Sequence, residues 1–280
     1  MESGYSMKLI GLFGHPVEHS LSPAMHNYAF EQLGLQYKYF AFDVEPHRIA
    51  QAIDAIRALN IVGVNVTIPF KEIVVPYLDK IDESASNIKA VNTIVNNNGY
   101  LIGYNTDGEG YVTSLELEMD INVNEMDITV IGAGGAARGI IYSLLSKGCK
   151  SVTIINRNIS KARIIADDFR NIGNISISCD EVSTIHNTDI IINTTPVGMF
   201  PNVNDLPINA SHISSKQIVS DIVYNPYETQ LLKEARQKGA KIHSGLGMFV
   251  HQGSIAFKKW TGHNPPIDEM YQYIKKLLIK

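Results

Sequence analysis

The stretch "DITVIGAGGAARGIIYSLLSKG" constrains the fold more than any other part of the chain: a short apolar strand, a glycine turn, then a helix from about Ala136 to Lys147. Within it Gly132, Gly134 and Ala137 hold three spaced positions with different physical tasks: a tight turn, a close approach of backbone to a pyrophosphate, and close packing of helix on sheet. The helix start then offers unpaired N–H groups to a phosphate. Alone, such a turn is equally a tight strand–helix connection. Its surroundings favour the stronger reading. "SVTIIN", "DIIINTT" and "QIVSDIV" read as strands, with "ISKARIIADDF" and "TQLLKEARQKG" as helices among them. Strands alternating with helices of this length point to a parallel sheet covered on both faces.

Charge indicates which dinucleotide such a domain takes. An NAD site commonly carries Asp or Glu about twenty residues past the glycines, bonded to the ribose 2′-hydroxyl. Here the next strand ends in Asn156, Arg157 and Asn158, with no acid. A carboxylate would repel the extra phosphate of NADP, whereas the Arg157 fork binds it with charge-assisted hydrogen bonds. NADP is favoured, and a solvated strand-end cation is the plain alternative for Arg157.

The first half supplies polar groups at strand ends. "KLIGLFG" reads as a strand and Pro23 to Leu33 as a helix, with Ser22 as its cap and Pro23 in its first turn. Capping does not account for Ser20, His15, His19 or His26. The histidines lack the spacing of a metal site, so packed or hydrogen-bonded rings are the expectation and no metal is assigned. "IVGVNVTI" reads as a strand that Pro69 ends, which leaves Asn65, Thr67 and Lys71 facing a polar ligand from a rigid element. Asn92 sits in the apolar "KAVNTIV", and "GYNTDGEG" crowds Asn105, Thr106 and Asp107 into a turn before a helix. Asp107 is either a helix cap or the carboxylate partner of Lys71 in carbonyl reduction, the ammonium serving the oxygen while hydride reaches carbon.

Composition removes several classes. The 280 residues suffice for one large or two moderate domains, and the polar "LELEMDINVNEMD" near residue 120 suits a connection. A hydrophobic fraction of 45% without a run of eighteen apolar residues argues against a membrane protein. The two cysteines stand in no paired motif, and no signal-peptide pattern opens the chain; both fit a reducing cytoplasm. A net charge of −4 with scattered Lys and Arg gives no stripe for nucleic acid.

Taken in order, "HSLSPAMHN", "NVTIPFK", "AVNT", "GYNTDG", "GAGGAAR", "NRN", "NTTPVGM", "DIVYNPYET" and "GLGMFVHQG" resemble the shikimate dehydrogenase family over about residues 11–253. The likeness is strongest to its biosynthetic members, which interconvert 3-dehydroshikimate and shikimate with NADPH in aromatic amino-acid synthesis. The resemblance implies an α/β fold: an N-terminal substrate-binding and catalytic domain over 1–107, a Rossmann-like NADP domain over 108–240, and a C-terminal segment, 241–280, returning to the first domain. It implies that Ser20 and Ser22, with Tyr224, hold the substrate carboxylate. Asn65, Thr67, Asn92, Asp107 and Gln252 would surround its oxygens, and Lys71 and Asp107 would form the catalytic pair. Gly132, Ala133, Gly134, Gly135 and Ala136 would lie around the pyrophosphate, Asn156 and Arg157 near the ribose phosphate, and Gly245 and Met248 by the nicotinamide. Asn158 departs from the family's usual Thr or Ser and puts the strictness of NADP preference in question. The resemblance leaves open a quinate/shikimate dehydrogenase with relaxed cofactor use, a nucleotide-responsive binding protein without turnover, and either a monomer or a homodimer.

Overall fold

The computed structural model describes residues 7–279. The chain divides into two units. One runs to Thr106 and resumes over Gln252–Ile274; the other comprises Asp107–His251 and the residues from Lys275 onward.

The first unit is built on a six-stranded mixed sheet of order β2-β1-β3-β5-β6-β4. Its strands are β1 (Lys8–Gly14), β2 (Tyr37–Asp43), β3 (Gly63–Val66), β4 (Lys80–Ile81), β5 (Thr93–Asn97) and β6 (Tyr100–Tyr104). The helices are α1 (Ser22–Gln32), α2 (Ile49–Ala58) and α3 (Glu83–Ile88). β1 pairs in parallel with β2 and β3, which the intervening helices require, since parallel strands need a crossover. β5 and β6 form an antiparallel hairpin where the sequence shows two polar clusters. Its two-residue turn is Asn98–Gly99, both at positive φ (53° and 90°), the backbone that matches strand twist and that Asn-Gly adopts at least strain. In α2, Ile49, Ile53 and Ile56 recur at helical spacing and bury against Val64, Phe70, Val74 and Ile94.

His26 is fully buried, stacked on Tyr39 at 4.5 Å between ring centroids and set edge-on to Trp260 at 5.4 Å. It is a packed ring, and neither nitrogen has a hydrogen-bond partner among the described residues. Burial pushes its pKa down to about 3. The unfolded chain takes up this proton below about pH 6.5 and the folded chain does not, so stability present at neutral pH is lost as pH falls from there. One such group is worth about 1.4 kcal/mol per pH unit. We expect His26→Phe, which removes the titration and keeps the ring, to lose about 2 kcal/mol less than the unchanged protein between pH 6.5 and pH 5. Urea unfolding at both pH values measures this; equal losses would refute it.

The second unit carries an all-parallel six-stranded sheet of order β12-β11-β10-β7-β8-β9. The strands are β7 (Asp127–Ile131), β8 (Ser151–Ile155), β9 (Ile175–Ser178), β10 (Ile190–Asn193), β11 (Ile218–Asp221) and β12 (Lys241–His243). Its helices are α4 (Asp107–Met119), α5 (Gly135–Lys147), α6 (Ile159–Phe169), α7 (Glu181–His186) and α8 (Gln230–Gln237). Counted from β7, the order is that of a doubly wound dinucleotide fold, reversing direction between β7 and β10. Ile128, Val130, Val152, Ile154, Ile190 and Ile192 pack against Ala137, Ile140, Ile141 and Leu144 of α5. β12 is hydrogen-bonded in parallel to β11, so residues 241–251 belong to this sheet's unit and the chain rejoins the first unit at Gln252, inside α9 (Gly245–Thr261). The chain then forms α10 (Ile267–Leu278), with Met270 and Ile274 fully buried.

Candidate active site

In the first unit the polar groups gather at strand ends. After β1 the Ser20 hydroxyl accepts the Ser22 backbone N–H at 3.2 Å. Ser22 is therefore not the cap: it is the first residue of α1, and the cap position is Leu21, which makes no side-chain cap bond. Ser20 satisfies an early helical N–H instead, so the chain enters the helix one residue sooner than Pro23 suggests. This use as an acceptor leaves the Ser20 O–H as a donor.

β3 ends at Val66, and a turn follows through Thr67 and Pro69 to Lys71, which is half-buried. The Lys71 carbonyl accepts the Val91 N–H at 2.8 Å, tying the turn to the entry of β5. Asn65 is buried, and its amide is largely engaged within the sheet. Its oxygen accepts from the Tyr39 hydroxyl at 2.7 Å, and its nitrogen donates to the Asn92 carbonyl and the Thr93 hydroxyl, both at 3.1 Å. Asn92 is buried as well. It donates to the Thr106 hydroxyl at 2.9 Å and accepts the Thr106 N–H at 2.9 Å, fixing the residue before Asp107. Gln252 is half-buried on α9.

In the second unit Asp107 is the first residue of α4 and is buried. The glycine turn follows β7. Gly132 has φ 113°, and a Cβ there would stand 2.6 Å from the Thr194 hydroxyl, so no other residue fits without strain. Around Gly134 and Gly135, by contrast, a Cβ would meet nothing within 4 Å. That open space beside the α5 N-terminus, which begins at Gly135 with Gly134 as its cap residue, fits a phosphate brought against bare backbone. Ala133 and Ala136 flank it, half-buried.

β8 ends at Ile155, followed by the half-buried Asn156 and the exposed Arg157 and Asn158. Asn158 caps α6 by accepting the Lys161 N–H at 3.3 Å, and its carbonyl accepts from the Asn156 amide at 2.7 Å. Asn, Ser and Thr all serve as helix caps, so Asn158 has a structural reason that carries no cofactor preference. Arg157 remains the cation at the strand end, and the chain places no acid there to select a free 2′-hydroxyl. These residues fit a 2′-phosphorylated dinucleotide.

On the other half of the same sheet, Tyr224 follows β11 and stacks on Phe249 at 4.7 Å, its pKa raised by burial. Gly245 opens α9 against the backbone of Ile222 and Val223, where a Cβ would come within 2.8 Å of the Val223 carbonyl carbon. Met248 is buried in the apolar core of this unit.

Sequence reasoning gives no role to the residues that close β10 and β11. Asn193 and Asp221 lie in register at the carboxyl ends of these strands, both fully buried. Asp221 accepts from the Asn193 amide and the Val223 N–H, each at 3.0 Å, and from the Thr229 hydroxyl at 2.7 Å. Burial pushes its carboxyl up to about 6, opposed by these donors. The available signal was a polar residue closing an otherwise apolar strand, in "IIIN" and "IVSD".

Three segments match family descriptions. Residues 12–94 match "Shikimate dehydrogenase substrate binding domain", 115–201 "Shikimate / quinate 5-dehydrogenase", and 245–274 "Shikimate 5'-dehydrogenase C-terminal domain". A shikimate dehydrogenase (NADP(+)) of Geobacillus sp. (strain WCH70) is 50% identical over 275 residues, 98% of each chain. The chain belongs to the shikimate dehydrogenase family. Two solved members show the same architecture. A crystal structure of a shikimate dehydrogenase in complex with NADP+ is 43% identical, with a TM-score of 0.93 over 99% of this chain and 98% of that one. Shikimate 5-dehydrogenase from Thermus thermophilus, in complex with NADP(H) and shikimate, is 33% identical with a TM-score of 0.89, covering 96% of this chain and 99% of that one.

Proposed function

We infer that the protein is an NADP-dependent shikimate dehydrogenase, reducing 3-dehydroshikimate to shikimate and running in reverse. The observation that carries this reading is the near-full-length match to an NADP(+) shikimate dehydrogenase, which spans both sheets and every strand-end loop described above. The nicotinamide cofactor, when bound, supplies or accepts the hydride.

The chain's own groups bind, orient and move the proton. Lys71 donates a proton to the carbonyl oxygen in reduction and takes one from the hydroxyl in oxidation. Asp107 accepts a hydrogen bond from a ring hydroxyl and orients the substrate. Ser20 and Ser22, with the Tyr224 phenol, donate to the carboxylate. Thr67, Asn92 and Gln252 contact the ring hydroxyls, and Asn65 contributes the acceptor capacity left on its oxygen. The Gly132 N–H donates to the Ile155 carbonyl at 2.9 Å and holds the turn, while the amides from Ala133 to Ala136 hold the pyrophosphate, with Asn156 and Arg157 at the ribose phosphate. Gly245 and Met248 form the nicotinamide side.

A reductive assay with product identification tests the activity: 3-dehydroshikimate and NADPH should yield shikimate, with absorbance falling at about 340 nm. Binding of both ligands without conversion would point instead to a non-turning-over binding protein. At the serines, Ser20→Ala should weaken shikimate binding about tenfold and leave NADP affinity within twofold, the scale of one hydrogen bond to a charged group. It also removes the acceptor for Ser22 N–H, so titration is done on protein whose folding has been checked by urea unfolding. A larger loss for NADP than for shikimate would reassign the segment.

A further inference from the structure

In a doubly wound sheet a dinucleotide straddles the point where strand order reverses, so its two halves lie over different strands. Here the reversal falls between β7 and β10, placing the adenosine half toward β8 and the nicotinamide half toward β10 and β11. On the adenosine side the loops are held by glycines and by the Asn158 cap. On the nicotinamide side both loops are held by one carboxylate.

That carboxylate is Asp221. Through Oδ1 it takes the Asn193 amide and its own loop's Val223 N–H; through Oδ2 it takes the Thr229 hydroxyl, which in turn caps α8. Asn193 passes the constraint on. Its oxygen accepts the Thr195 N–H at 3.0 Å and the Thr195 hydroxyl at 2.7 Å, and its amide also donates to the Val197 carbonyl at 3.2 Å. The neighbouring Thr194 hydroxyl donates to the Ile131 carbonyl at 2.7 Å, directly beside the glycine turn. One acid thus fixes residues 194–197 after β10 and residues 222–229 after β11, and the second of these loops carries Tyr224. A buried carboxylate satisfied only by neutral donors is an expensive way to secure two loops, since an amide or hydroxyl would carry a smaller desolvation penalty. Three donors from two loops converge on this one carboxylate, and hydrogen bonds to a charged acceptor are stronger than those to a neutral one, which suits a position where loop geometry must be held closely.

We propose that Asp221 is a positioning residue for the nicotinamide half of the dinucleotide site, acting through Asn193 and Thr229 on the loops after β10 and β11. This rests on the dinucleotide reading above. It separates Asp221 from a residue that merely stabilises the sheet, because the adenosine half should be indifferent to it.

The test compares two ligands on Asp221→Asn, which keeps the shape and removes the charge. NADP spans both halves, whereas 2′,5′-ADP occupies only the adenosine half. The variant should lose about tenfold in NADP affinity, the scale of a charge-assisted hydrogen bond, with 2′,5′-ADP affinity within twofold of the unchanged protein. Thr229→Val and Thr229→Ser provide a second arm that leaves Asp221 in place. Val removes the hydroxyl and should show the same selective loss, and Ser restores it and should bind both ligands normally. Equal losses for the two ligands, or no loss for either in the folded variants, would overturn the proposal. Failure of the unchanged protein to bind either ligand would instead remove the dinucleotide reading on which it rests.

Discussion

Lys71→Ala is expected to lower kcat by about 10²–10⁴-fold, the range of a general acid–base contribution, while NADP affinity stays within twofold. The backbone contacts of the turn survive the substitution. What anchors the turn is the Lys71 carbonyl, which accepts the Val91 N–H, and the Phe70 N–H, which donates to the Thr67 carbonyl; both are backbone and survive truncation of the side chain. The apolar floor of the turn, Phe70 and Val74, is untouched. Lys71→Arg distinguishes proton transfer from charge alone. A guanidinium restores the positive charge but does not give up its proton near neutral pH, so activity should stay low. Near-normal kcat in folded Lys71→Ala would end the assignment, and full rescue by Arg would convert the role to electrostatic stabilisation.

Arg157→Ala should weaken NADP binding by a factor of about ten to over a hundred, with NAD affected much less, because the two cofactors differ only at the 2′-phosphate. The penalty of about 1.5–3 kcal/mol is that of lost hydrogen bonds between charged groups. Arg157 is exposed, so the contact is screened by mobile ions, and raising the salt should narrow the preference for NADP in the unchanged protein. Asn158 sharpens the comparison. Its side chain is engaged as the α6 cap, so truncating Arg157 leaves the helix start intact. Direct titrations of both proteins with both cofactors at fixed ionic strength make the measurement. Equal losses would indicate damage to the shared pocket. An unchanged NADP affinity would remove Arg157 as the phosphate reader and favour the dual-cofactor quinate/shikimate alternative.

The second sheet was legible because its information is local. A glycine turn between an apolar strand and a helix, followed by strands and helices at regular spacing, fixes a parallel sheet without knowledge of any distant contact. The first sheet was less so. "NNNGY" holds a two-residue hairpin signal between β5 and β6, but the polar residues just outside the hairpin, Asn92 before β5 and Asn105 after β6, invited a functional reading while the turn itself went unread. Polar residues at strand ends were visible as candidates, yet their partners were not. The Asn65 amide meets Tyr39, Asn92 and Thr93, and Asp221 meets Asn193, each pair 26–28 residues apart in sequence. Only the pairing of strands brings these groups together. Ser22 shows the converse: a serine before proline is a good cap signal, and the neighbouring Ser20 hydroxyl supplied the bond in its place.

The central claim is a reaction and a cofactor together, and one set of initial rates tests both. Purified protein is given shikimate or quinate, each with NADP or NAD, and reduced cofactor is followed at about 340 nm. The account predicts the highest kcat/KM for shikimate with NADP, lower values when either the substrate or the cofactor is exchanged, and loss of the signal in Lys71→Ala. No reduction of NADP by shikimate, or faster turnover of quinate with NAD, would contradict it.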